Sequence, residues 1–312
     1  EDMLPLLQVD AHAERLTVEE FARTLQAAQA ETLTQVAGAA MGASAARKPA
    51  APDGLTYHPV KDPGPAVTPR PDEVLFAPAW DPRREAVASF FALPRARTPG
   101  NDRWRYGSAI LRGALKPEQR LEFELEVLEQ TMTRFERFCA KGGRCGLIVP
   151  VNYAVIANPR TRVPYAGAVS KLPEHLRRTL LMRVEEAPLD APATTLTEAL
   201  RTLANYCAQT FVHAPVATYS LARLEGAGAS WVGCSLPGRR PEVFKGDLAR
   251  FLALAKRQRF GAYIDQLTSW EGVKAALASE ARLLIGPAVA PALEDLAAPY
   301  RLPRAGVLAR AA

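Results

Sequence analysis

His213, Cys234 and Asp265 are a base, a nucleophile and an acid, and each falls at or near the end of a short apolar run. Converging within hydrogen-bonding reach, they could carry acid–base or covalent chemistry. Kept apart, the histidine is a hydrogen-bonded structural group and the cysteine packs. Glu185 and Glu186 are adjacent, but neighbours on a strand point to opposite faces, so they cannot work as an acid–base pair. One of them is placed to pair with Arg183 or Arg95. Lys141-Gly142-Gly143-Arg144 lacks the phosphate-loop frame and reads as a helix-ending turn. Trp104, Trp231 and Trp270 read as packing residues rather than a base-stacking platform. The four cysteines, Cys139, Cys145, Cys207 and Cys234, include no Cys-x-x-Cys pair and have no nearby pair of histidines. That spacing argues against a zinc site and for reduced thiols in a cytosolic protein.

The elements that would position these groups alternate. Apolar runs at 74–76, 87–93, 147–151, 180–184, 210–213, 231–234, 262–264 and 283–285 read as strands buried on both faces. Helical periodicity lies between several of them, at 117–139, 195–208, 248–258 and 271–279, and Pro117 suits a first helical turn. This order predicts an α/β (β/α)8 barrel over 72–303, with a doubly wound open sheet as the competing architecture. Upstream, residues 1–47 hold a helix. Thr17 and Glu20 form a capping box, Leu16 and Phe21 a staple, and Phe21, Leu25, Ala28, Thr32 and Val36 one apolar stripe. That stripe packs on the barrel or pairs with a partner over 16–40. Residues 48–71 are a proline-rich linker, and 304–312 a C-terminal tail.

The net charge of +6 comes from basic residues scattered without long runs, which reads as a solvated surface and gives no sign of nucleic-acid binding. No stretch is apolar enough to span a bilayer. Because the chain starts at Glu1, a membrane link would come only from a segment upstream.

Phe76-Ala77-Pro78, Phe91-Ala92-Leu93-Pro94-Arg95, Val149-Pro150-Val151-Asn152, residues 181–186, Ile264-Asp265-Gln266-Leu267 and Ile285-Gly286 follow one another in an order that resembles the EAL family, whose barrel hydrolyses cyclic di-GMP. Phe76-Ala77-Pro78 stands where that family has its opening Gln-Pro strand, and Phe91-Ala92-Leu93-Pro94-Arg95 where it has Glu-Ala-Leu-x-Arg. Val149-Pro150-Val151-Asn152 is similar to its Val-Asn strand end, and 181–186 to its Leu-x-Glu-Ile-Thr-Glu strand. Ser220 through Ser235, Ile264-Asp265-Gln266-Leu267 and Ile285-Gly286 complete the series.

The resemblance implies two divalent ions held by carboxylates at strand ends in active members. It also implies that this chain has lost most of that set. The first Glu position is Phe91 and the second Arg183. The paired Asp positions fall on Val212 and His213, the Lys on Gly233 and the Asp after it on Ser235. The last Gln is Ile285; Asn152 is kept, and Asp265 keeps an acid with shorter reach. Residues 205–221 contain no carboxylate, so slippage of the match does not restore the pair. The expectation is a degenerate, non-enzymatic domain without metal or cofactor, acting in the cytoplasm through protein–protein contacts. The alternative is a cyclic di-GMP receptor without turnover. It would use Arg95 on a phosphate, with Asn152, Leu93 and Pro78 nearby, although the family's base-contacting Gln is Ala77.

Overall fold

A hairpin of two long strands, β1 (Glu73–Asp81) and β2 (Ala86–Arg97), opens the described chain. Its turn is tied by Asp81 Oδ1, which accepts the backbone N–H groups of Arg83 and Arg84 at 2.9 and 3.3 Å. The computed structural model describes residues 70–97, 103–111, 115–236, 241–279 and 281–309. The N-terminal helix, the stripe over 16–40 and the linker up to residue 69 lie outside these.

β2 continues into a short antiparallel partner, β3 (Trp104–Tyr106). The helix α1 (Pro117–Ala140) follows, with Pro117 in its first turn as expected. Then come β4 (Gly146–Asn152), three helices α2 (Tyr153–Ala157), α3 (Pro159–Ser170) and α4 (Glu174–Arg177), and β5 (Leu180–Glu185). Next are α5 (Ala193–Ala204), β6 (Gln209–His213), β7 (Trp231–Ser235), α6 (Pro241–Arg257), β8 (Gly261–Asp265), α7 (Trp270–Ala278) and β9 (Leu283–Ile285). The chain closes with β10 (Tyr300–Arg301) and α8 (Arg304–Ala309).

The eight strands read from the sequence are all present, and they close into a barrel in the order β1-β9-β8-β7-β6-β5-β4-β2, with β2 paired back to β1. Closure rules out the doubly wound alternative. The regular strand–helix repeat fails in two places. β1 runs antiparallel to both neighbours, because a tight turn, not a helix, joins it to β2. β6 and β7 are joined by a loop with only a three-residue 3₁₀ turn at Ala222–Leu224. β1 is also longer than expected. Pro78 sits inside it, and the register with β2 shifts between Ala79 and Trp80, where Ala88 is the extra residue.

Strand alternation divides the interior in two. Outward side chains such as Phe76, Trp80, Val149, Met182, Val212, Val232 and Ile264 meet the helices in the main core. Inward ones, Ala77, Ala79, Phe91, Ile148, Leu181, Phe211, Trp231, Tyr263 and Ile285, fill the lumen. At the chain end, Trp80 Nε1 donates to the Leu302 carbonyl at 2.8 Å and Val307 of α8 is buried, so residues after 303 begin with a docked helix.

Candidate functional site at the barrel mouth

In parallel barrels the C-terminal strand ends form the rim where chemistry is placed. The register brings Asn152 opposite Glu185, Arg183 beside Phe211 and Ser235 opposite Asp265. Inward positions therefore carry Arg183 and Glu185 from β5, His213 from β6, Ser235 from β7 and Asp265 from β8.

Arg183 lies at the centre of this group and is buried. Its Nε donates to Glu185 Oε1 at 2.6 Å, and its Nη1 pairs with Asp265 Oδ2 at 2.6 Å. The guanidinium lies 4.1 Å from the centre of the Phe91 ring and 5.5 Å from that of Tyr263. Burial opposes its charge, but the Glu185 and Asp265 carboxylates outweigh that and raise its pKa. Burial would likewise raise the Asp265 carboxyl. Arg183, then His213 and the Ser235 hydroxyl, outweigh it and hold the group below the usual carboxylate range.

A directed chain of hydrogen bonds ends on Asp265. The ionised carboxylate can only accept, so Ser235 Oγ donates to Asp265 Oδ1 at 2.5 Å. His213 Nε2, 3.1 Å from the same hydroxyl, then donates to it, and in the neutral ring Nδ1 accepts from the Tyr263 hydroxyl at 3.3 Å. His213 thus gives a proton toward Ser235 rather than taking one. That polarity is opposite to the one that activates a serine nucleophile. His213 and Asp265 do converge, through Ser235, but Cys234 does not join them. It faces the main core, where burial pushes its thiol pKa well up.

Two glycines make room for the aromatic filling. A Cβ on Gly233 would stand 2.3 Å from the Tyr263 ring, and one on Gly261 2.4 Å from Trp231. The Phe211 and Trp231 rings stack at 5.2 Å with an interplanar angle of 3°. Neither glycine role was legible, since it depends on which ring leans across from the next strand.

The other residues singled out from sequence divide by face. Ile285 lines the lumen and Leu93 packs against it. Val212 is turned outward into the main core. Pro78 stands between Phe76 and Trp80 on the outer side of β1, paired with outward-facing Phe90, so it is not a mouth residue. Asn152 is fully occupied. Its Oδ1 accepts from Ala154 N to cap α2, its Nδ2 donates to Glu186 Oε2 at 2.9 Å, and its N–H goes to Glu124 Oε1 at 2.9 Å. Arg95 stays on the rim, held by Glu73 Oε1 at 2.7 Å and laid over Trp104 at 4.3 Å.

Glu124, on α1, is the functional-type residue that sequence reasoning missed. Its burial pushes the carboxyl up to about 8. Its position on the inner stripe of α1, between Leu121 and Leu128, was the available signal. Trp104 is half-buried at the rim, with the Arg95 and Arg97 guanidiniums 4.3 and 5.0 Å from its ring centre. Arg103-Trp104-Arg105-Tyr106 alternates base and aromatic, and β3 stands at the rim rather than in the core.

The residues present do not fit a pair of divalent ions. Both inward carboxylates, Glu185 and Asp265, are ion-paired with Arg183, and the Asn152 side chain caps α2 and donates to Glu186. Among the described residues, no group of three or more His, Cys, Asp or Glu side chains could hold a metal ion.

No protein-family model matches the chain, and no curated protein sequence does either. Solved structures do match. The Bacillus subtilis YkuI protein, with an EAL domain and in complex with cyclic di-GMP and calcium, aligns at TM-score 0.59 and 11% identity. That alignment covers 76% of this chain and 58% of YkuI, so the chain corresponds to little more than half of that protein. The FimX EAL domain of Pseudomonas aeruginosa, bound to cyclic di-GMP, aligns at 0.54 and 14% identity, over 71% of this chain and 90% of that one. The PaMucR phosphodiesterase, in its cyclic di-GMP complex, aligns at 0.56 and 15% identity, over 70% and 91%. The chain has the fold of an EAL domain.

Proposed function

We propose that this chain is a cyclic di-GMP signalling module of the EAL type that has given up hydrolysis and works as a regulatory or scaffold domain through protein–protein contacts. One observation carries the reading. A guanidinium, Arg183, sits between Asp265 and Glu185 where the resemblance places a metal-binding carboxylate. A fixed monovalent cation on a side chain can pair with both acids, but it offers no exchangeable water to activate. The Phe91 and Tyr263 rings occupy the space around it, and Tyr263 takes the place of any side chain at 233. The four cysteines are free thiols, which suits the cytoplasmic site this reading assumes. Among the described residues no helix is long and apolar enough to cross a membrane.

The test is hydrolysis of cyclic di-GMP by the pure chain with Mg²⁺ or Mn²⁺, followed by chromatography. The expected result is unchanged substrate; accumulation of the linear dinucleotide, abolished by chelation, would falsify the proposal. Arg95 favours the second reading, a receptor without turnover, because it remains on the rim with a fork suited to phosphate. Its ion pair with Glu73 must then be shared or opened by the ligand. Calorimetric titration with cyclic di-GMP decides this: heat that saturates in wild type and is lost in Arg95→Gln supports a receptor, and no heat removes it.

A further inference from the structure

Cations that are scattered in the sequence are gathered by the fold at one end of the barrel. The strands β2, β4, β5 and β8 run parallel and all start at the floor, opposite the mouth, where the turn from β1 into β2 also lies. Each of these entries carries an exposed basic residue. Arg83 stands in the β1–β2 turn, Lys141 and Arg144 ahead of β4, Lys171 ahead of β5 and Arg257 ahead of β8. Arg304 joins them, because β10 pairs with the start of β2 and the Arg304 N–H donates to Glu85 Oε1 at 3.2 Å. In the barrel order they occupy an arc from β8 through β9, β1, β2 and β4 to β5. Among the described residues none of these six forms a salt bridge, whereas two acids of the same turns are already taken. Asp81 pairs with Arg84, and Glu174 with Arg178. Glu225 stands ahead of β7, outside the arc.

A cation at a helix C-terminus is favoured by the helix dipole, and that accounts for Lys141, Lys171 and Arg257 at the ends of α1, α3 and α6. It does not account for Arg83 and Arg144, which lie in turns outside any helix, or for Arg304, which opens α8. Like charges gathered on one face repel one another, and an anionic surface laid against them removes that cost. A plane can meet the whole arc at once, whereas a rod-like duplex lies across one chord of it. Among the described residues the exposed aromatic rings are Tyr106 and Tyr219, on β3 and in the loop leaving β6, so a single strand finds no stacking platform at the floor. One turn beyond Arg304, α8 exposes Leu308, an apolar contact that suits the headgroup boundary of a bilayer. We propose that the floor of the barrel docks on an anionic lipid bilayer, with Arg83, Lys141, Arg144, Lys171, Arg257 and Arg304 meeting its headgroups.

The floor lies opposite the mouth, so this docking is independent of any ligand bound there. The test sediments the whole chain with vesicles of phosphatidylcholine alone and of phosphatidylcholine with about a third phosphatidylserine. Binding should appear only with the mixed vesicles and weaken as salt is raised. Each cation close to an anionic bilayer contributes about fivefold to partition, so Arg83→Gln, Arg144→Gln and Arg304→Gln together should cost about a hundredfold. All three side chains are exposed, and the variant should keep the melting temperature of wild type. Arg105→Gln, Lys116→Gln and Arg160→Gln remove the same charge around the mouth and should leave vesicle binding within about threefold of wild type. Equal losses in the two triple variants, equal binding to both kinds of vesicle, or no sedimentation with either would overturn the proposal. So would a short DNA duplex that binds through the three floor arginines while the vesicles do not sediment, because the floor would then be a nucleic-acid surface.

Discussion

Glu124 makes this fold weaken as the solution becomes alkaline. The side chain lies on α1, is 5% exposed, and accepts one hydrogen bond, from the Asn152 N–H. Burial raises its carboxyl from 4.5 to about 8, and Glu185 and Glu186 add to the rise. Between those values the native state keeps a proton that the unfolded chain releases. Stability from this group is thus fully present below about pH 4.5 and is lost as pH rises through about 8. The slope is about −1.4 kcal/mol per pH unit, and the loss across the window amounts to a few kcal/mol. Glu124→Gln keeps an acceptor for Asn152 and cannot ionise. Urea unfolding at pH 5, 6, 7, 8 and 9 should give nearly equal stabilities at pH 5, with the variant ahead by a few kcal/mol at pH 9. A difference between the two proteins that stays constant over this range would refute the argument. Asp265 acts in the opposite window. Its lowered carboxyl contributes stability that is present at neutral pH and lost as pH falls below about 4, so acid unfolding does not confuse the comparison.

Two further perturbations probe the mouth. Arg183→Leu leaves Asp265 and Glu185 facing one another without their cation, and should cost about 3–5 kcal/mol in urea unfolding at pH 7. Adding Asp265→Asn and Glu185→Gln to that variant should recover most of the loss; no recovery would mean the ion cluster is not what Arg183 supports. Gly233→Ala drives a methyl against the Tyr263 ring, with an expected cost of about 1–3 kcal/mol. Pairing it with Tyr263→Leu should restore stability, and a Gly233→Ala chain as stable as wild type would show that the ring is free to move aside.

The sequence disclosed the barrel far better than the mouth, and the reason is local. Val149, Met182, Val212 and Ile264 are strand residues on the outer face, and their β-branched or apolar character announces both strand and burial. No comparable pattern announced β3, which is three residues long, or the helices α2 to α4, broken by Pro159 and Pro164. At the mouth, residue types were legible but their partners were not. Those partnerships depend on register between strands that are distant in the chain. Ser235 meets Asp265 only because β7 and β8 pair as they do, and His213 reaches Ser235 only across β6 and β7.

The same alternation separates what holds the fold together from what lines the lumen. Each barrel strand carries two independent records, with odd positions of β5 (Leu181, Arg183, Glu185) turned inward and even ones (Met182, Val184) turned to the helices. Packing of the outer record holds strands and helices together whatever the lumen contains, so long as the lumen stays filled and its charges balanced. Phe91, Tyr263 and Ile285 provide the filling, and Arg183 is ion-paired with both Glu185 and Asp265. Under these two conditions the outer framework can persist at 11–15% identity to EAL structures. Beyond residue 93 the lumen-side positions Arg95 and Arg97 are partly or fully exposed and do not fill the lumen.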